Sequence, residues 1–126
     1  MAESLTVVRQ MLTGLGEALA LEAAAIGDLK IAVSEACANC CLHAYRDTAT
    51  GPMWVHCFVR QSTLWIAVID HGTGMGPTRL GEGASPGLGL GLPLMAALSD
   101  ELRLRAGVER GSEVWLRFEL NGGRRA

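Results

Sequence analysis

The sequence has no basic excess: 11 lysines and arginines stand against 13 aspartates and glutamates, a net charge of −2. Neutralising a phosphate backbone takes clustered Lys and Arg, so this balance argues against direct nucleic-acid binding, and the closing Arg124-Arg125 reads as a solvated tail. No uncharged apolar run approaches the roughly 18 to 20 residues that cross a bilayer, and the N-terminus shows no basic-then-apolar leader pattern. The expected setting is the cytoplasm, without membrane contact. The cysteines are badly spread for cross-linking. Of the four, Cys37, Cys40 and Cys41 crowd into one predicted helix and Cys57 stands in a predicted strand, which argues against a secreted disulfide framework and for reduced thiols. No internal repeat is present, and the one compositionally biased stretch is the glycine-dominated segment 71–91.

What is there describes an ordinary globular chain. With 126 residues, 49% hydrophobic and 19% charged, it suits a single domain, 1–126, around one core. Leu5, Val8, Leu12, Leu15 and Leu19 recur at helical steps and predict a first helix over 3–21. A second is predicted from about Asp28, read as its N-cap, to about Tyr45, burying Leu29, Ala32, Val33, Ala36, Cys37 and Cys40. DTATGP (47–52) reads as a turn. MWVHCFVR (53–60) and TLWIAVID (63–70) are β-rich runs separated only by Gln61-Ser62, which predicts an antiparallel hairpin ending at Asp70. Leu92 to Leu98 suits a short helix with Pro93 in its first turn, followed by strands over 101–106 and 112–120. The sum is an α/β (α+β) two-layer sandwich.

Three segments carry chemistry. In SEACANCCLHAY (34–45), Glu35 and Asn39 are four apart and share a helical face. That polar pair is either a capping or solvated stripe or a general base beside a ligand for a hard divalent cation. In IDHGTGM (69–75), Asp70 closes an apolar strand before Gly72 and Gly74. Such a carboxylate can accept a hydrogen bond from a ligand amino group while the glycines allow close backbone approach, or the segment is simply a tight turn. In GLGLGLPLM (87–95), Gly87, Gly89 and Gly91 precede a helix N-terminus, where unpaired N–H groups and the helix dipole favour phosphate. No GKS or GKT follows them and no first strand precedes them, which argues against a P-loop and a Rossmann fingerprint. Cys37, Cys40, Cys41 and His43 are metal ligands on one reading, but two of the thiols fall on the predicted core face, where buried cysteine is ordinary.

Taken in order, Glu35-x-x-x-Asn39, Asp70-x-Gly72-x-Gly74 and Gly87-x-Gly89-x-Gly91 resemble the Bergerat-fold ATPases, the superfamily of gyrase, the ninety-kilodalton heat-shock chaperone, the histidine kinases and the mismatch-repair ATPases. SEACANCCLHAYR and the short lid look most like the bacterial anti-sigma-factor serine kinases, and the resemblance covers roughly residues 3–120. It implies helices on one face of a mixed, mostly antiparallel sheet. It implies ATP and Mg²⁺ as cofactors, Glu35 as general base, Asn39 as Mg²⁺ ligand and Asp70 as acceptor of the adenine amino group. Gly72 and Gly74 would shape the adenine pocket, while Gly87, Gly89 and Gly91, with the amides around Leu90 and Leu92, would hold the phosphates. Ser112, in ERGSEV, resembles the hydroxyl residue that supports the adenine-binding aspartate, and Arg9 stands where the resembling kinases carry a partner-contacting arginine.

The implied partners are an alternative sigma factor and a serine-bearing anti-sigma-factor antagonist, with the protein as a homodimer. The sequence departs from the pattern at three points. It begins almost directly with its first helix, without the N-terminal strand usual in these kinases; Leu42 takes a position where histidine kinases often place a cation; and Arg79 is the only candidate γ-phosphate contact between Gly76 and Pro86. Two other readings stay open: a nucleotide-gated binding module without phosphotransfer, and a switch kinase acting on a stress-signalling scaffold.

Overall fold

The computed structural model describes residues 2–44, 53–70, 91–106 and 111–120. Helix α1 spans Ala2–Ala18, α2 Ala23–Ala44, and α3 Gly91–Leu98; strands are β1 Met53–Arg60, β2 Thr63–Asp70, β3 Glu101–Ala106 and β4 Ser112–Glu119. The predicted turn at 47–52 lies outside the described residues, as does all of the 71–91 glycine segment except Gly91. Among the described residues no helix is long and apolar enough to cross a membrane.

Helix α1 keeps its expected apolar stripe: Leu12 is fully buried, and Leu5, Val8, Leu15 and Leu19 pack against the same core. The helix stops before Leu19 because the chain turns left-handed at Ala20 (φ 60°). Leu21 N donates to Gly16 O at 2.9 Å and Ala20 N to Glu17 O at 3.0 Å, the paired bonds of a Schellman ending, with alanine in the position that favours glycine. Asp28 is not the N-cap of α2 but lies inside it, because the helix opens five residues earlier, at Ala23. Ile26 N donates to Glu22 O at 3.0 Å, and the alanines at 23–25 are the strongest helix formers, so the ladder starts there and runs through Gly27.

The two-residue connection Gln61-Ser62 closes the β1–β2 hairpin with Arg60 opposite Thr63. Both turn residues have positive φ (53° and 65°), the backbone of a type I′ turn, whose twist matches the flanking strands. The sheet order is β1-β2-β4-β3, and every pairing in it is antiparallel.

Strand alternation divides the sheet into two faces. Leu64, Ile66, Val68 and Asp70 of β2 share a face with Ser112, Val114, Leu116 and Phe118 of β4, and all are buried. That face meets the helices: α2 packs on both strands and is flanked by α1 and α3. The core joins Leu12, Leu29, Val33 and Met95 to these strand residues. No described helix packs on the opposite face, which carries Trp54, Phe58, Trp65 and Trp115 beside Glu101, Arg103 and Arg117. Trp115 meets Phe58 and Trp65 edge to face, with centroids at 6.3 and 6.2 Å, and the Arg103 guanidinium lies 5.8 Å from the Trp65 ring centre.

Candidate functional site

Register builds the first part of the site. Asp70, the last residue of β2, stands directly opposite Ser112, the first residue of β4, on the face beneath the helices. Ser112 Oγ donates to Asp70 Oδ2 at 2.6 Å, and the two residues are only 3% and 2% exposed. A charged-acceptor bond of this length fixes the carboxylate's orientation, and burial makes that bond stronger than it would be in water. The strand ends here, so the carboxylate sits at the C-terminal end of an interior strand.

The second part comes from α2 and α3, which pack together. Glu35 is half-buried and Asn39, one turn further on, is 4% exposed, so a solvated-stripe reading does not hold for Asn39. Glu35 reaches the N-terminus of α3: a β-carbon placed on Gly91 would stand only 3.3 Å from Glu35 Oε1. The first turn of α3 presents the amides of Gly91, Leu92 and Leu94, while Pro93 has none to present. Leu92 turns its side chain toward the core, and Met95 anchors the helix below it. Ser99 Oγ donates to Met95 O at 2.7 Å and finishes the helix at its other end.

The structure thus brings two pairs of the expected residues together, Asp70 with Ser112 and Glu35 with Gly91. Gly72, Gly74, Gly87, Gly89 and Leu90 lie outside the described residues, as do Arg79 and the side chain of Leu42. Cys37 is buried in the core, as expected; the side chains of Cys40, Cys41 and His43 are not among those described. Burial pushes the Cys57 thiol above its ordinary pKa, so it stays protonated near neutrality.

Arg9 occupies a different surface. It is exposed on α1, and its Nε donates to Ser34 Oγ on α2 at 3.0 Å. With Gly27, Lys30, Ile31 and Ser34 it lines an open hollow of about 280 Å³. Ser34 carries no signal in the sequence, because its partner is 25 residues away and no local pattern announces the pair.

The donor set suits a magnesium nucleotide. A buried carboxylate at the strand end can accept from an exocyclic amino group, and the free amides of a helix start suit phosphate oxygens. An amide oxygen beside a carboxylate is the hard-oxygen chemistry that Mg²⁺ selects.

The comparisons with known proteins agree. The sequence profile of the histidine kinase-like ATPase domain matches residues 1–118. The chain is 36% identical over 135 aligned positions to the serine-protein kinase RsbW of Bacillus licheniformis, covering 94% of this chain and 80% of that protein. With the protein of the same name from Bacillus subtilis the identity is 33% over 138 positions, covering 97% and 82%. Among solved structures, the histidine kinase domain of the blue-light activated kinase from Erythrobacter litoralis EL346 superposes with a TM-score of 0.62 at 25% identity, over 76% of this chain and 45% of that one. This chain therefore spans less than half of that structure. The histidine kinase domain of the E. coli osmosensor EnvZ shares the fold, with a TM-score of 0.55 at 20% identity over 79% of this chain and 68% of that one. The chain belongs to the histidine kinase-like ATPase domain family and, within it, to the ATP-dependent serine-protein kinases typified by RsbW.

Proposed function

We propose that this protein is a cytoplasmic ATP-dependent serine-protein kinase that doubles as an anti-sigma factor, holding an alternative sigma factor and phosphorylating a serine on its antagonist. The observation that carries the reading is the buried Ser112–Asp70 bond at the strand end, in a fold that also sets Glu35 against the start of α3. In this reading residues 1–126 form one catalytic domain that works as a homodimer.

Each role follows from what the residue can do chemically. Asp70, held by Ser112, accepts the adenine amino hydrogen, and a purine without that amino group cannot make this bond. Gly72 and Gly74 let the backbone close on the ring, and the amides of Gly87, Gly89, Leu90, Gly91 and Leu92 donate to phosphate oxygens. Asn39 offers its amide oxygen to Mg²⁺. Bound Mg-ATP would supply the phosphoryl group, and Mg²⁺ would supply charge neutralisation to it. Glu35 takes the proton from the attacking serine hydroxyl, and the remaining work of the chain is alignment.

The test is calorimetric titration of ATP with and without Mg²⁺, joined to transfer of labelled γ-phosphate onto a serine-bearing antagonist. Binding that needs Mg²⁺ and weakens in Asn39→Ala, with transfer lost in Glu35→Ala, is the expected result. Nucleotide binding without transfer, unchanged in Glu35→Ala, would leave a nucleotide-gated binding module and remove the kinase reading.

A further inference from the structure

We infer that Gly91 is a positioning residue for Glu35, whatever its own amide contributes to phosphate; the inference rests on the reading of Glu35 as the general base. Glycine at 91 has no conformational reason in the fold. Among the described glycines only Gly111 has a left-handed φ (92°), and Gly91 is the first residue of a regular helix, a backbone that any residue adopts. Glycine is also a poor helix former, so alanine would suit α3 better by propensity alone. What opposes alanine is Glu35. The β-carbon would stand 3.3 Å from Oε1, closer than carbon and oxygen normally approach, and Gly91 is buried, so the carboxylate is the group that has to move.

Of the four helical glycines, a side chain on Gly14 or Gly27 would meet nothing, one on Gly16 would meet an apolar Ile26, and one on Gly91 would meet a carboxylate. The contact at Gly16 is a packing requirement. The one at Gly91 sets where a proton acceptor stands relative to the helix start. Proton transfer depends on heavy-atom separations within a narrow range, so displacing Oε1 by a few tenths of an ångström acts on rate before it acts on nucleotide affinity.

The test is a double-substitution cycle on the full chain: Gly91→Ala, Glu35→Asp and the two together, each checked for folding by circular dichroism. The Glu35 side-chain carboxyl ¹³C resonance, assigned by its loss in Glu35→Gln, is recorded without nucleotide. Turnover of Mg-ATP and ATP affinity are then measured on the same samples. The expected result is a displaced Glu35 resonance in Gly91→Ala and a kcat lowered about tenfold, by a larger factor than ATP affinity. In the Glu35→Asp background, where the shorter side chain leaves room, the same substitution should cost less than about twofold, the non-additivity that contact produces. An unmoved resonance, or equal losses in both backgrounds, overturns the inference and leaves Gly91 serving phosphate alone. Failure of folded wild type to bind ATP removes the kinase reading instead. The resonance, read without nucleotide, still decides whether Gly91 positions Glu35.

Discussion

Asp70 shows how much one side chain depends on the residue across the sheet. Its carboxylate is almost sealed from water and takes a 2.6 Å hydrogen bond from Ser112. Removing that donor leaves a buried acceptor undersatisfied, so Ser112→Ala is expected to destabilise the fold by about 1 to 3 kcal/mol. In the proposed function it also loosens nucleotide binding, read as a lower melting temperature together with a weaker ATP isotherm. Asp70→Asn turns an acceptor toward the adenine amino group into a mixed donor and acceptor. ATP affinity should then fall by about 100-fold or more, since sites built to pair with a polar ligand group reject a mismatch strongly. If either variant bound ATP like wild type, the adenine would have to be recognised elsewhere. At this scale the sequence was informative wherever chemistry imposed a spacing. Glu35 and Asn39 were visible as one helical turn, and Asp70 as an acid at the end of an apolar run. Ser34 and the Gly16–Ile26 contact were not, because their meaning lies in a second helix that local patterning cannot bring near.

The elements were legible where apolar periodicity was strong. The hairpin, the short α3 and the alternation of β4 lie close to where the sequence places them. The start of α2 was missed because Asp28 offers a familiar capping signal while the alanine run before it offers none, and propensity won. The end of α1 was missed for a related reason: its left-handed position is held by Ala20 rather than by the glycine that would have marked it. That gives a prediction for the element. Ala20→Gly relieves the left-handed strain and should stabilise the protein by about 1 kcal/mol, visible as a higher urea midpoint with an unchanged slope. A loss of stability would mean that the extra entropy of the unfolded glycine chain outweighs the relieved strain. The opposite effect is expected four residues earlier. In Gly16→Ala the new β-carbon would fall 2.5 Å from Ile26 Cγ1, forcing α1 and α2 apart at a cost of about 1 to 3 kcal/mol.

At the scale of the whole molecule, a cluster of ion pairs lies on the sheet face turned away from the helices. Glu101 receives Arg103 and Arg117, and these two bonds hold its carboxyl below its usual value of 4.5. A carboxylate whose folded pKa is depressed stabilises the fold above its unfolded pKa, and the contribution fades as pH falls through the folded value. Glu101→Gln should therefore lower the melting temperature slightly at pH 7, with the gap to wild type closing as the pH drops well below 4.5 and shrinking in high salt. A gap independent of pH would show that packing, not charge, was lost. Helix α1 places Arg9 on a different surface, with Ser34 holding it by its Nε. In the proposed function, if that surface receives the partner, Arg9→Ala should weaken capture of the proposed sigma factor about tenfold in a binding titration, the scale expected of a truncated interface arginine. Unchanged capture would place the partner elsewhere.

The division of the sheet into two faces also decides what light can report. All three tryptophans, Trp54, Trp65 and Trp115, project from the face turned away from the helices, and the single tyrosine, Tyr45, lies outside the described residues. Intrinsic fluorescence excited near the tryptophan maximum is thus an optical gauge of the outer side of the sheet. It should respond to whatever comes to cover that side and stay nearly constant when nucleotide enters on the other, so ATP binding is better followed with a label on α2 or α3.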